Sequence, residues 1–342
     1  EPGEGSAPEK SSPGRSPSLA PTPGSRPGQP LLRGAGEGHL RPAADIPTYY
    51  DQPALKPSPY GWEISGYIFI GGLGGSAQIL AAAADIVDGE RFGDVVRNGR
   101  YLALASAAVG VSLLLLDLRT PRRFYNMLRI FRPTSPMSIG SYVLVGFGGL
   151  GALLAGTQLA QDLGARSAAV ATAAKLLDVP AALLGAAMST YTGALLGATS
   201  TPLWAAAPLA LPATFGVASM SSAAAALSLT GAGAAAPAVD RLERFAAIAE
   251  LVLLHLLHRQ IQHSGVRTRI GLLPVALLSA VPLLKAAPPH HRVKSEPSRE
   301  ARSPWAPVAV LTGSWLLRHL VLQAGNRSAR RPRDYFRFAG RR

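Results

Sequence analysis

One after another, stretches of about 20 apolar residues separated by short charged loops fill this sequence from about Trp62 to Ala324. Twenty helical residues rise about 30 Å, the thickness of a bilayer's hydrocarbon core. Lipid offers no partners to backbone N–H and C=O groups, so each stretch has to satisfy its own as a helix. The expected fold class is therefore an all-α integral membrane protein. Charge agrees: 16% of the residues are charged, against roughly 25% in soluble domains. Those charges sit mainly in the two tails and the loops. This distribution argues against a soluble enzyme.

Eight transmembrane helices in two four-helix bundles are expected. The first four cover about Trp62–Asp85, Tyr101–Leu118, Ser138–Leu159 and Ala168–Ala198, the last with Pro180 as a kink. The next four cover about Ala207–Leu229, Phe245–His258, Ile270–Leu284 and Pro307–Ala324. Residues 48–204 then form the first bundle and 205–326 the second. Residues 1–47, rich in Pro, Gly and Ser, bury too little apolar surface to offset their ordering entropy and are expected to be a disordered tail. Residues 327–342 form a basic C-terminal tail.

The net charge of +14 would suggest nucleic acid on a soluble protein. Here the arginines flank membrane segments, where orientation and anionic membrane lipids account for them, and no nucleic-acid motif is present. Zero cysteine excludes disulfides, thiolate-bound metal, iron–sulfur clusters and a cysteine nucleophile.

Strict alternation of eight helices puts both chain ends on one membrane side. Counting the loops and the C-terminal tail, Arg and Lys number 15 on that side and 11 on the other, a slight bias toward the cytoplasm for the first. Alternation also gathers four polar motifs at one mouth. They are Trp62-Glu63 opening helix 1, Asp117 to Asn126 after helix 2, Arg132 to Ser138 entering helix 3, and Ser189 to Gly193 late in helix 4. A small amphipathic ligand would fit there, half in lipid and half near water.

Each motif also has a plainer reading. Glu63 suits a helix N-terminus on dipole grounds alone, although acids inside membrane spans point to function by default. Asp117 with Arg119 or Arg123 reads first as a structural ion pair. Tyr191 is either an interfacial aromatic or, between Thr190 and Thr192, part of a hydrogen-bonded site. Gly71, Gly72, Gly74 and Gly75 form a small-residue stripe for close helix packing. Lys175 and Asp178, three apart, are expected to pair on one helix face, and Glu250 to pair with His255. A proton path through Lys175, Asp178 and Glu250 is the alternative. His255 and His258 share one helix and cannot ligate one haem from both sides. His255 with His319 is conceivable but lacks a supporting pattern.

Several segments resemble the NrfD/PsrC family, the membrane subunits of polysulfide, nitrite, formate and related molybdopterin oxidoreductases. They are Tyr49 to Pro57, Trp62 to Ile64, the Gly71–Gly75 stripe, Asp117 to Arg119, Pro121 to Asn126, Arg129 to Gly140, Tyr191 to Leu196, and Arg318 to Ser328. The resemblance implies an exchangeable quinone or quinol, menaquinone or ubiquinone, in the first bundle. It implies no haem, iron–sulfur cluster or metal of the chain's own. It also implies docking to an iron–sulfur, ferredoxin-like subunit that relays electrons to or from a molybdopterin catalytic subunit. Carried over by position, the pocket tyrosine falls on Tyr191 and the polar helix 1 group near Glu63 to Ser65.

The expected function is thus a quinone-reactive membrane anchor of the inner cell membrane, inactive alone. Glu63 and Tyr191 would act on the quinone, and Trp62, Ser65 and Asp117 would help to bind it. Arg119, Arg123, Asn126, Thr134 and Ser135 would shape the pocket mouth or dock the partner. A secondary transporter predicts paired broken helices in two related halves. Pro180 supplies one break without a counterpart. A b-type cytochrome anchor is the other alternative.

Overall fold

The structure, a computed structural model, describes residues 53, 55–118, 124–165, 167–284 and 304–340. The expected tail over residues 1–47 lies outside them, as do Arg119 and Arg123. All regular structure among the described residues is helical. The elements are α1 (Trp62–Asp88), α2 (Gly93–Asp117), α3 (Asn126–Arg129), α4 (Pro136–Asp162), α5 (Ala168–Gly197) and α6 (Pro202–Ala205). They continue with α7 (Ala210–Thr230), α8 (Ala236–His263), α9 (Leu273–Ser279), α10 (Trp305–Ala329) and α11 (Pro332–Ala339).

Six of these helices, α1, α2, α4, α5, α7 and α10, are long and apolar enough to cross a membrane. Local chemistry starts them where the sequence does. Ser135 caps α4 by accepting from the Ser138 N–H, and Pro136 fills the first turn, where a missing N–H costs nothing. Ser167 caps α5 in the same way, and α5 then runs through Pro180 to Gly197.

Helix α1 is the hub. It packs against α2, α5, α7 and α10. The Gly71–Gly75 stripe explains how. A Cβ on Gly75 would collide with the Gly185 carbonyl oxygen, and one on Gly185 with the Gly75 oxygen, so α1 and α5 touch backbone to backbone. A Cβ on Gly74 would strike Ser106 of α2, and one on Gly72 would strike Ser219 of α7. Lipid tails are as apolar as leucine, so this close packing, not hydrophobic exclusion, holds such helices together. One continuous core runs from Ile64 of α1 to Ala324 of α10. The outer faces carry exposed Leu116, Val145, Leu153, Leu176 and Leu183, the surface that lipid covers.

The seventh expected span is corrected. Residues 270–284 do not form one crossing helix. They form the seven-residue α9 and a short 3₁₀ turn, Val281–Leu284. Seven residues rise about 10 Å, a third of the hydrocarbon core. Pro282 stops the helix, because it has no N–H and its ring clashes with the preceding turn. The sixth expected span lies within α8. That helix has 28 residues, long enough to cross, but it is too charged along its length to count among the six. Its faces are inverted relative to a soluble helix. Phe245, Ile248, Val252 and Leu256 point outward, while Glu243 and Glu250 are buried.

Candidate functional site

The start of α1, the end of α2, the start of α4 and the end of α5 surround a crevice of about 180 Å³. Its walls are mostly apolar: Ile64, Ile68, Leu114, Leu144 and Leu196 line it. The polar groups that reach it are Tyr60, Tyr67, Asp117, Ser141, Tyr191 and Thr192.

Tyr191 and Tyr67 are the inner pair. Their hydroxyls are hydrogen-bonded to each other. Two phenols carry two O–H donors, and a mutual bond uses one. The second donor has no protein acceptor among the hydrogen bonds of the described residues, and both phenols line the crevice. Gly140 makes room for the Tyr191 ring, since a Cβ there would stand 2.5 Å from Tyr191 Cε2.

Tyr60, just ahead of α1, stacks on the fully buried Trp204 with ring centroids 6.3 Å apart. Burial, and secondarily the charge of Asp117, push its phenol above the ordinary value, so it stays a protonated donor. Trp204 is itself held by donating from Nε1 to the Val321 carbonyl, at 2.9 Å.

Glu63 does not line the crevice. It is half-buried, and its carboxylate folds back against Gly61. It lies close enough to Asp117 for the two carboxylates to repel. Trp62 is exposed at the rim. Ser65 is turned to α10, where its Oγ meets His319 Nδ1 at 3.2 Å. Asn126 and Thr134 are exposed on the connection between α2 and α4, and Ser135 serves as the α4 cap. The same connection exposes Phe124, Tyr125, Ile130 and Phe131. The structure thus brings Tyr191 and Asp117 together at the crevice, with Glu63 beside it and Ser65 directed elsewhere.

Two expected pairings are replaced by others. Lys175 is exposed on α5, and Asp178 instead meets Arg100 of α2 at 3.0 Å. Arg100 also binds Asp85 at 2.7 Å and Gln158 at 3.1 Å, so four helices meet at one guanidinium that is 2% exposed. A planar fork can serve two carboxylates at once, which the Lys175 ammonium on an outer face cannot do. Glu250 accepts from Ser279 at 2.8 Å, while His255 is exposed. Glu250 also faces the charge of Arg318, which is fully buried and donates to Ser314, Ser219 and the Phe215 carbonyl. Lys175 thus lies on an outer face, Asp178 in the Arg100 cluster and Glu250 against Ser279. The second nitrogen of His319 meets Gln323 at 2.8 Å.

Sequence reasoning missed Tyr67, Tyr60 and Arg100. Tyr67 shares its helix face with Ile64 and Ile68, which also line the crevice. Arg100 read as loop because the helix was taken to start at Tyr101, whereas α2 begins at Gly93. No metal-binding group of three or more His, Asp or Glu side chains occurs among the described residues.

No curated protein matches the chain. A family model described as polysulphide reductase, NrfD, matches residues 52–269, which contain the whole crevice and more than half of the 342 residues. By that match the chain is a multi-pass membrane protein of the NrfD family.

Proposed function

We propose that the chain is the quinone-interacting anchor subunit of a multisubunit oxidoreductase in the inner cell membrane. It would pass electrons between the quinone pool and an iron–sulfur partner, which serves a molybdopterin catalytic subunit. The single observation that carries this reading is the Tyr67–Tyr191 pair, two phenols with one O–H to spare that line a crevice walled by Ile and Leu. A quinone is a flat, apolar ring with carbonyl acceptors at its ends, and it supplies two-electron, two-proton chemistry when bound. The crevice has room for a ring but not for a prenyl tail, which stays in lipid.

Within this reading each residue has a defined task. The tyrosine pair donates to one carbonyl and fixes the ring's depth. Tyr60, kept protonated, is a second donor at the rim. Glu63, outside the lining yet beside Asp117, exchanges protons between the mouth and water. The exposed aromatic residues of the 124–131 segment offer a docking face for the iron–sulfur subunit. We also read α8, with its outward apolar stripe, as a membrane crossing, and α9 with its 3₁₀ turn as a broken one beside α10.

The test is substitution in the assembled complex. Tyr191→Phe and Glu63→Gln should each cut quinol-linked turnover while the complex still assembles. Assembly without any change of turnover in either variant would overturn the site.

A further inference from the structure

We propose that a second, basic cavity on this chain binds the phosphate headgroup of an acidic phospholipid. The cavity, of about 480 Å³, lies where α8 ends, and it is closed by the 265–272 segment and by Arg337 of α11. Three guanidinium groups line it, from Arg267, Arg269 and Arg337. Arg97 and Arg100, by contrast, hold ion pairs elsewhere in the chain.

The segment is built to present these charges. Burial alternates along it: Val266, Thr268 and Ile270 are buried, whereas Arg267 and Arg269 are exposed. Gly265, at φ +83°, turns the chain out of α8. Asp334, 1% exposed, fastens the segment from behind. Its carboxylate accepts from the Arg267 N–H at 3.0 Å, the Thr268 N–H at 3.2 Å and Thr268 Oγ1 at 2.5 Å. Asp334 is therefore engaged by the backbone and Thr268 of the segment, while Arg267, Arg269 and Arg337 line the cavity. Arginine forks match phosphate oxygens in pairs.

Position selects a lipid over a free anion. Directly after the cavity, α9 exposes Leu273 and Leu277, and α8 exposes Val252 and Leu256 just before it. On the α11 side Phe336 is exposed beside Arg337. Cationic groups thus meet an outward apolar strip, the arrangement that takes an anionic headgroup with its acyl chains alongside. Inorganic phosphate would use only the first half of it.

The experiment uses the full chain in mild detergent, delipidated and then given phosphatidylglycerol, phosphatidylcholine or inorganic phosphate. Native mass spectrometry reads the lipid retained, and thermal unfolding reads stabilisation. Phosphatidylglycerol should be retained and should raise the melting temperature, whereas phosphatidylcholine and phosphate should do neither. The triple variant Arg267→Gln, Arg269→Gln, Arg337→Gln should weaken retention about a hundredfold, each single variant about fivefold. A control triple, Arg91→Gln, Arg129→Gln, Arg132→Gln, should leave it unchanged. If the site triple fails to fold, the single variants carry the test. Equal retention of both lipids, or site variants that match the wild type, would overturn the proposal. Stabilisation by phosphate as strong as by phosphatidylglycerol would overturn the lipid assignment. So would a polyglutamate peptide that stabilises the protein where phosphatidylglycerol does not.

Discussion

Gly140→Ala places one methyl group against the ring on which the site depends. Its Cβ would lie 2.5 Å from Tyr191 Cε2, 3.1 Å from Cδ2 and 3.3 Å from Cζ. Ordinary carbon contacts are about 3.5–4.0 Å, so the ring must retreat by roughly 1 Å. That retreat moves the Tyr191 hydroxyl relative to Tyr67. Two opposing effects set stability. Overpacking costs about 1–3 kcal/mol. Replacing glycine by alanine inside α4 returns about 1 kcal/mol of helix preference. The net lies between neutral and about 2 kcal/mol of destabilisation, so the variant folds. A misplacement of about 1 Å nonetheless costs on the order of 100-fold in rate where geometry positions the reacting group. The assay is quinol-linked kcat/KM of the assembled complex, with thermal unfolding in parallel. Gly148→Ala, on the same helix with nothing within 4 Å of its added Cβ, is the matched control. Equal turnover in the two variants would refute the claim that the position of Tyr191 matters.

Two further outcomes follow from the polar groups at either end of the first four spans. Arg100→Met leaves Asp85 and Asp178 facing each other without a cation, and should destabilise the chain by about 3–5 kcal/mol in detergent unfolding. A loss under about 1 kcal/mol would show that the cluster does not hold the helices together. Tyr60 holds its proton more tightly in the folded chain, by burial first and by Asp117 second. Its contribution to stability is therefore full below the unfolded phenol value of about 10, and is lost as pH rises through the higher folded value. Asp117→Asn should move the late phenolate transition to lower pH in an absorbance titration but leave it above that of a free tyrosine. An unmoved transition would remove Asp117 as a cause.

The site was legible where it depended on direction along the chain, and illegible where it depended on rotation about a helix axis. Alternation alone put Asp117 and Tyr191 at the same mouth. It could not tell that Ser65, only about 100° around α1 from Ile64, turns to His319 while Ile64 lines the crevice. Tyr67 was missed for the same reason. Spacing along one helix was a poor guide to charge pairing. Lys175 and Asp178 have the right interval, but Arg100 reaches Asp178 from another helix and brings Asp85 with it. The seventh span was misjudged by counting apolar residues and giving too little weight to Pro282, which follows a helix of only seven residues.

The order of side-chain sizes along α1 accounts for both ends of this half of the protein. Its middle carries Gly71, Gly72, Gly74 and Gly75, and there α5 approaches to backbone contact. Before the glycines, α1 carries Tyr67, Ile68 and Ile64, whose bulk spreads the mouth; α4, packed on α2 and α5, closes the far wall. Apolar walls with two hydroxyls at the bottom leave that opening free for a ring. Beyond the glycines, Arg100, Asp85, Asp178 and Gln158 bond to one another and tie α1, α2, α4 and α5 together. A crossing point fixed by small residues therefore gives a ligand crevice at one end and a sealed polar cluster at the other. The chemistry of each end follows from what lines it: phenols and aliphatic side chains at the crevice, and a guanidinium shared by two carboxylates at the other end.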